Sequence, residues 1–199
     1  MDIFKTSDIG IDLGTSTILI YLKGKGVVLN EPSIAAVDRA TGRLLAVGED
    51  ARRMLGREPA GTLVIRPLRG GVIDNFDIAA RMLDHFVKKI VGTKLFFKPR
   101  AVVCVPSRAS EAEKRCVIEA VMEAGARYAY LIEEPVAAAI GANVDILSPS
   151  GNMVLDIGGG TTDIAVLSYG SIVLSDSVRV AGDSMDEALM RYMKRKHNL

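Results

Sequence analysis

The stretch LDIGGGTTD, residues 155–163, decides the fold of this 199-residue chain. It joins two predicted strands, residues 153–157 and 164–167, and its three consecutive glycines cost conformational entropy that an ordinary turn avoids. A shorter stretch with the same order of residue types, IDLGTST at residues 11–17, also joins two apolar runs. Each stretch predicts a strand, a tight polar turn and a second strand. Two such units far apart in one chain predict duplicated lobes that face one another across a cleft.

The composition excludes several classes of protein. The 25 Lys and Arg residues balance 24 Asp and Glu residues, and this net charge of +1 disfavours nucleic acid as a partner. Hydrophobic residues make up 49% of the chain, which excludes disorder as the dominant state. Two cysteines without a spaced framework favour a reducing, cytoplasmic location. We expect neither a secretion signal nor a membrane span.

Apolar periodicity predicts the other main elements. Helical spacing over residues 75–90 predicts an amphipathic helix. The apolar run at residues 101–105 predicts a strand buried on both faces. Ser110 and Glu113 are spaced as a capping box, which predicts the start of a second helix. Two further short strands are expected at residues 172–174 and 177–180.

The two polar turns have the composition of a phosphate site. Successive backbone N–H groups in such turns can point into one concavity, and glycine allows close approach. The predicted phosphate contacts are Gly14, Thr15, Ser16, Thr17, Gly158, Gly159, Gly160 and Thr161. Because an aspartate lies at the end of each first strand, Asp12 and Asp156 are candidate Mg²⁺ ligands. Taken alone, IDLGTST has an ordinary polar hairpin turn as its alternative interpretation.

Glu134 precedes a proline at the start of a predicted helix of small residues. An acid at a helix N-terminus is stabilised by the helix dipole, so a capping role is one interpretation. The other is that Glu134 lies beside the cleft and orients a water for in-line attack on a γ-phosphoryl group. The residues leave both open. Cys104, within an apolar run, is interpreted as a small core residue rather than a nucleophile.

The segment KLFFKPR, residues 94–100, places three large apolar side chains among basic ones in a predicted loop. Leu95, Phe96 and Phe97 can enter a membrane interface while the neighbouring cations meet anionic headgroups. Packing into the core is the alternative. The segment alone does not distinguish the two.

These motifs resemble those of a known superfamily. The two turns resemble the phosphate-1 and phosphate-2 motifs of the actins, sugar kinases and heat-shock chaperones, and IEEPVAAA at residues 132–139 resembles the first connecting motif. Within that superfamily the chain is most similar to the bacterial actins of the MreB/Mbl family. The segments that carry this similarity are LNEPS at 29–33, RPL at 66–68, GVI at 71–73, VPS at 105–107 and GDSMDE at 182–187.

The resemblance implies a fold and a division into domains. The implied class is α/β, with an actin-like (ribonuclease H-like) lobe at residues 1–152 and a small subdomain inserted at about 30–73. Residues 153–199 are then the start of a second, duplicated lobe. The family's adenosine motif and second connecting motif would fall beyond Leu199. We therefore expect residues 1–199 to supply the phosphate side of the cleft alone, without tight ATP binding or appreciable hydrolysis by this segment in isolation. We also expect an unpaired edge on the strands of residues 153–180 and poor solubility.

The resemblance also implies a function. The family consists of ATP-dependent, slowly hydrolysing cytoskeletal proteins that polymerise into filaments at the inner face of the cytoplasmic membrane. With the cell-wall elongation machinery they maintain rod shape. By motif, Asp12 and Asp156 match the acids associated with Mg²⁺, Glu134 and Thr161 match the pair that orients the catalytic water, and the apolar residues 95–97 match a membrane-contacting loop.

Two alternatives and one departure from the family accompany this hypothesis. The alternatives are the ATPase half of a chaperone or sugar kinase, and a truncated fragment that does not hydrolyse ATP. The departure is Arg108, which stands where the family usually has glycine. We interpret it as a difference in a surface loop.

Overall fold

The computed structural model describes residues 8–92 and 98–199, so the predicted membrane-contacting residues Leu95, Phe96 and Phe97 lie outside it. Within these ranges the chain has a mixed α/β fold with four sheets. The strands are β1 (Asp8–Leu13), β2 (Thr17–Leu22), β3 (Gly26–Pro32), β4 (Ala35–Asp38), β5 (Leu44–Val47), β6 (Thr62–Ile65), β7 (Leu68–Arg69), β8 (Val72–Ile73), β9 (Arg100–Val105), β10 (Tyr128–Glu133), β11 (Asn152–Ile157), β12 (Thr162–Ser168) and β13 (Ser171–Val178). The helices are α1 (Glu49–Arg52), α2 (Phe76–Val91), α3 (Glu111–Glu123), α4 (Glu134–Gly141) and α5 (Gly182–His197).

A five-stranded sheet in the order β10-β9-β1-β2-β3 carries the first polar turn. Strand β1 is antiparallel to β2, which confirms the hairpin predicted from IDLGTST. Strand β1 is also parallel to β9, and β9 to β10. The turn after β1 therefore lies at the same edge of the sheet as the carboxyl ends of β9 and β10.

Helices α2 and α3 pack on one face of this sheet. Helix α2 follows the predicted pattern, with Asn75 as its N-cap: the side chain accepts the N–H of Ile78 at 3.2 Å. The predicted capping box of α3 is confirmed, because Ser110 and Glu113 exchange both hydrogen bonds. The two helices close a core whose largest fully buried members include Ile11, Ile18, Ile20, Met82, Leu83, Phe86, Val103 and Val121.

Strand β9 is buried on one face only, so the prediction of burial on both faces was wrong. Ala101, Val103 and Val105 are buried, whereas Val102 between them is 41% exposed. Helices α2 and α3 both pack on the side of the buried residues, and α4 contacts the strand without covering Val102. Continuous apolar runs are typical of strands covered on both faces, and here one member of the run, Val102, is exposed.

Two small sheets lie between β3 and α2. They are the three-stranded sheet β5-β4-β6 and the hairpin β7-β8. Glu31 on β3 connects this part to the main body, since its carboxylate accepts the N–H of Glu49 at 2.9 Å and pairs with Lys89 at 3.1 Å. The β7-β8 turn, at Gly70 and Gly71, lies against the polar turn of the main sheet, where Gly71 N–H bonds Thr15.

The third sheet, in the antiparallel order β11-β12-β13, carries the second polar turn. Helix α4 packs on it through Ala139, which contacts the cluster of Ala165 and Leu167. Strand β13 is one continuous strand, so the two short strands predicted there were wrong. The polar pair Ser175 and Asp176 does not interrupt it, because the backbone pairing with β12 continues through both residues. Among the described residues, β11 and β13 are the edges of this sheet.

Candidate functional site

The first turn connects β1 to β2 and follows a partly buried carboxylate. Thr15 is 5% exposed, and Asp12 precedes the turn on β1. A Cβ at Gly14 would lie 2.6 Å from the carbonyl oxygen of Thr17, so the tight turn requires glycine there. Burial raises the pKa of Asp12 above its ordinary value, and the nearby charge of Asp156 raises it further.

The second turn connects β11 to β12 in the same manner. It closes where the N–H of Gly158 donates to the carbonyl of Thr161 at 2.9 Å. Asp156 lies near the end of β11, one residue before the strand ends. The pKa of Asp156 is also raised, first by burial and then by the charge of Asp163, its partner on β12. Each turn therefore has a partly buried acid on the strand that leads into it.

The two turns meet and enclose one cavity of about 450 Å³. They are close enough that a Cβ on Gly159 would lie 2.7 Å from the Cβ of Ser16. The cavity is lined by every phosphate, metal and water-orienting residue that the sequence predicted. These are Asp12, Gly14, Thr15, Ser16, Thr17, Glu134, Asp156, Gly158, Gly159, Gly160 and Thr161. Two segments from opposite ends of the sequence thus form one site.

Glu134 is the first residue of α4 and lines the cavity together with both turns. The N-cap residue of α4 is Glu133, and no side chain makes a capping hydrogen bond there. Burial raises the pKa of Glu134 to about 8, with further contributions from the charges of Asp163, Asp12 and Asp156. Its position in the cavity favours the interpretation of Glu134 as a group beside the cleft over its interpretation as a helix cap.

Gly71 was missed as a site residue by sequence reasoning. Its N–H donates to Oγ1 of Thr15 at 2.9 Å, and it lines the cavity. Its φ is 76°, and a Cβ there would lie 2.8 Å from Cγ2 of Thr161. The consecutive glycines at 70 and 71 were the available signal, since a Gly-Gly pair marks a close backbone approach.

Cys104 also lines the cavity, although the sequence indicated only a core position. Burial raises the pKa of its thiol to about 12, and the charges of Asp12, Glu134 and Asp156 add to this effect. The thiolate is the nucleophilic form of cysteine, and a raised pKa suppresses it near neutral pH. The environment therefore agrees with the interpretation of Cys104 as a packing residue.

The donor set of the cavity fits a magnesium ion that arrives with a phosphate ligand. Within residues 8–92 and 98–199, no cluster of three or more His, Cys, Asp or Glu side chains could hold a metal by itself. Mg²⁺ is usually bound through one or two carboxylates, with water and substrate phosphates completing the shell. Asp12 and Asp156 supply two such carboxylates, and a cation between them would offset the repulsion that raises the pKa of Asp12.

Comparison with known proteins identifies relatives over nearly the whole chain. Residues 6–199 match the MreB/Mbl protein family. The cell shape-determining protein Mbl of Bacillus subtilis (strain 168) is 53% identical over 192 residues, which cover 96% of this chain and 58% of that protein. The cell shape-determining protein MreB of Escherichia coli (strain K12) is 48% identical over 197 residues, covering 96% and 57%. The chain thus spans less than two thirds of the length of these relatives.

Solved structures give the same result. MreB5 of Spiroplasma citri bound to ADP superposes with a TM-score of 0.90 at 35% identity, covering 98% of this chain and 58% of that one. The same protein bound to AMPPNP also gives 0.90. The MamK double helical filament gives 0.80 at 25% identity, covering 96% and 60%.

The fold and the paired turns define an actin-like protein, as the sequence predicted. More narrowly, the chain belongs to the MreB/Mbl family. This assignment favours the bacterial actins over the chaperone and sugar-kinase alternatives. None of the helices in the described ranges is long and apolar enough to cross a membrane.

Proposed function

We propose that this protein binds Mg·ATP between its two polar turns, hydrolyses it slowly, and assembles into filaments under the control of the bound nucleotide. The observation that carries the proposal is the single cavity shared by Asp12, Asp156, Glu134 and both turns. The nucleotide-bound structures of the related MreB5 support a nucleotide as the ligand. Phosphoryl transfer depends mainly on positioning the phosphate and the attacking water, which is what phosphate-binding turns and a nearby acid can do.

Each group in the cavity has a role in this proposal. The backbone N–H groups and hydroxyls of residues 14–17 and 158–161 bind the β- and γ-phosphates. Asp12 and Asp156 would hold Mg²⁺ directly or through its waters, and the ion would neutralise phosphate charge. Glu134 and Thr161 orient the attacking water, with a side-chain oxygen of Glu134 accepting its hydrogen bond.

Alanine substitution of the two aspartates tests this proposal. We expect Asp12→Ala and Asp156→Ala each to weaken Mg·ATP binding in isothermal titration by about tenfold or more and to abolish hydrolysis. Asp50→Ala is the matched control, because Asp50 is exposed on α1 and far along the chain from both turns. Unchanged binding and hydrolysis in both cavity variants would refute the proposal.

We also propose the domain arrangement that the family resemblance implies. Residues 1–152 form the first lobe, with a small subdomain inserted at about 30–73, and residues 153–199 begin the second lobe. What supports this is the independent sheet β5-β4-β6 inside the first range and the separate sheet β11-β12-β13 in the second. Limited proteolysis that cuts first between α4 and β11 would agree with this boundary.

Self-assembly is the second part of the proposal. Its support is the family membership together with the likeness to the MamK filament. We expect the protein to pellet in a high-speed spin with Mg·ATP, and the Asp12→Ala variant to remain in the supernatant. Pelleting that is identical with and without nucleotide would contradict nucleotide-controlled assembly.

We further propose that the filaments lie in the cytoplasm at the inner face of the cell membrane, where they organise the cell-wall elongation machinery and maintain rod shape. The names of the relatives support a role in cell shape. The membrane part rests on the sequence of the KLFFKPR segment. In flotation with anionic liposomes, a Leu95→Ser, Phe96→Ser, Phe97→Ser variant should lose binding, whereas Leu147→Ser, at an exposed leucine elsewhere, should keep it. Undiminished flotation of the triple variant would refute membrane insertion.

A further inference from the structure

Asp163, the last residue of LDIGGGTTD, is a buried carboxylate that does not line the cavity. It is 1% exposed, and both of its oxygens are hydrogen-bonded. Oδ1 accepts the backbone N–H and the hydroxyl of Ser107, each at 2.9 Å, and Oδ2 accepts the hydroxyl of Ser177 at 3.2 Å. Because its two oxygens accept three hydrogen bonds, the acceptor sites of the Asp163 carboxyl group are largely used.

These bonds connect the two halves of the proposed site. Ser107 follows β9 of the five-stranded sheet, whereas Asp163 and Ser177 lie on β12 and β13 of the third sheet. Two ion pairs join the same regions, Arg108 with Asp176 and Arg179 with Glu113, but their arginine side chains are 63% and 65% exposed. Exposed ion pairs constrain geometry weakly, since water competes for both partners. The buried Asp163 carboxylate is therefore the better defined connection.

The register of the third sheet places Asp163 directly beside the cavity residues. Asp163 on β12 is the cross-strand partner of Asp156 on β11, so the two carboxylates share one face of the sheet. Like charges in directly opposed positions are unfavourable in a sheet. Thr161, one of the proposed water-orienting residues, precedes Asp163 by two positions in the same segment. The charge of Asp163 also contributes to the raised pKa of Glu134, which indicates that the two groups are close.

We propose that Asp163 is a positioning residue for phosphoryl transfer: by bonding β12 to Ser107, it holds Asp156 and Thr161 in register with Glu134 and the first turn. This inference rests on the function proposed above. Asp163 does not touch the ligand in this scheme and acts through the residues on either side of it. A purely structural role would also require these hydrogen bonds, so the test must separate turnover from binding and from folding.

The experiment compares three single-residue variants with the wild-type protein. Asp163→Ala deletes all three hydrogen bonds. Asp163→Asn is nearly isosteric and can keep all three, because its amide group can donate to the Ser177 hydroxyl. Asp176→Asn is the matched control, since it removes an exposed link between the same two regions. For each variant we measure kcat for Mg·ATP hydrolysis by phosphate release, the Kd for Mg·AMPPNP by titration calorimetry, and the folded fraction by circular dichroism.

We expect Asp163→Ala to lower kcat by about tenfold or more while the Kd stays within about threefold, because small displacements affect reaction geometry more than ground-state binding. Asp163→Asn should recover kcat to within about threefold of wild type, and Asp176→Asn should leave kcat unchanged. If Asp163→Ala does not fold, it is replaced by the Ser107→Ala, Ser177→Ala double variant, which deletes two of the three hydrogen bonds. The same result is expected of it: a lower kcat with a nearly unchanged Kd.

Three results would overturn the inference: unchanged kcat in the folded alanine variant, loss of kcat and affinity in equal proportion, or failure of the asparagine variant to restore turnover. The two proposals fail in distinguishable ways. If the wild-type protein neither binds nor hydrolyses Mg·ATP, the proposed function fails and this inference fails with it. If the wild type turns over normally and Asp163→Ala does too, only the positioning role is refuted.

Discussion

Gly160 and Thr15 are in contact across the cleft: a Cβ added at Gly160 would overlap the Thr15 hydroxyl and lie 2.9 Å from both N and Cα of Gly70. The second polar turn therefore touches the first turn and the β7-β8 turn at the same point. Two of these neighbouring atoms belong to backbone, which cannot move aside as a flexible side chain can. The absence of a side chain at residue 160 is what allows three separate segments to meet.

Gly160→Ala should therefore separate the turns and weaken nucleotide binding. We expect the Kd for Mg·ATP to rise by about tenfold or more, since the phosphate-binding N–H groups would no longer converge. Titration calorimetry measures the effect. Gly141→Ala is the control, because a Cβ at Gly141 meets nothing within 4 Å and its affinity should match wild type. Equal affinities in the two variants would show that the turns tolerate separation.

The convergence of the two turns could be predicted from sequence because its signal is local and repeated. Each turn has glycines between apolar runs and an aspartate before them, and the repetition indicated two matching halves of one site. The glycine pair at 70 and 71 indicates a close backbone approach, but the contact partners of Gly71 and Asp163 could not be predicted in this way. Their partners, Thr15 for Gly71 and Ser107 for Asp163, are 56 residues away in the chain, so the contacts exist only in the folded protein.

The fold shows the same division between local and distant causes. The α3 capping box was predictable because Ser110 and Glu113 are three residues apart and bond each other. The exposed face of β9 was not, because an apolar run does not reveal which of its faces will be covered. The sequence predicted two strands in place of β13, separated at Ser175 and Asp176, because those residue types favour turns. In the structure, pairing with β12 overrides that preference.

Glu134→Gln should increase stability at alkaline pH in buffer without metal or nucleotide. The folded-state pKa of Glu134 is about 8, above its unfolded value, so the folded protein holds a proton that the unfolded chain releases. Stability therefore falls as pH rises from the unfolded pKa of about 4.3 through the folded value. The glutamine variant does not titrate, and its advantage in urea unfolding should grow between pH 5 and pH 8 by on the order of 3 kcal/mol.

The control for this pH dependence is Glu133→Gln, the neighbouring acid that does not line the cavity. We expect its stability to follow that of wild type across the same pH range. The Glu134→Gln variant should also hydrolyse ATP far more slowly if Glu134 orients the water. A constant difference between Glu134→Gln and wild type at pH 5 and pH 8 would contradict the proposed burial of the carboxyl group.

Ser110→Ala should lower the free energy of unfolding by about 1 kcal/mol. The Ser110 hydroxyl accepts the N–H of Glu113 at 3.3 Å, and the Glu113 carboxylate accepts the N–H of Ser110 at 2.7 Å. Alanine removes the first bond and leaves a helix N–H without a partner. Urea unfolding measures the loss, with Ser171→Ala at an exposed strand position as the control. A loss as large in the control would mean that the cap contributes nothing specific.

Arg108→Gly, which introduces the glycine that the family resemblance leads us to expect at this position, should change stability very little. The Arg108 guanidinium pairs with Asp176 at 2.6 Å, but the two side chains are 63% and 62% exposed, so water competes for both charges. We expect the melting temperature to change by less than about 3 °C. The pairing can be isolated by a double-mutant cycle with Asp176→Asn. A larger loss in Arg108→Gly that Asp176→Asn does not reproduce would place the effect in the backbone of the loop, because glycine there loosens the segment next to Ser107.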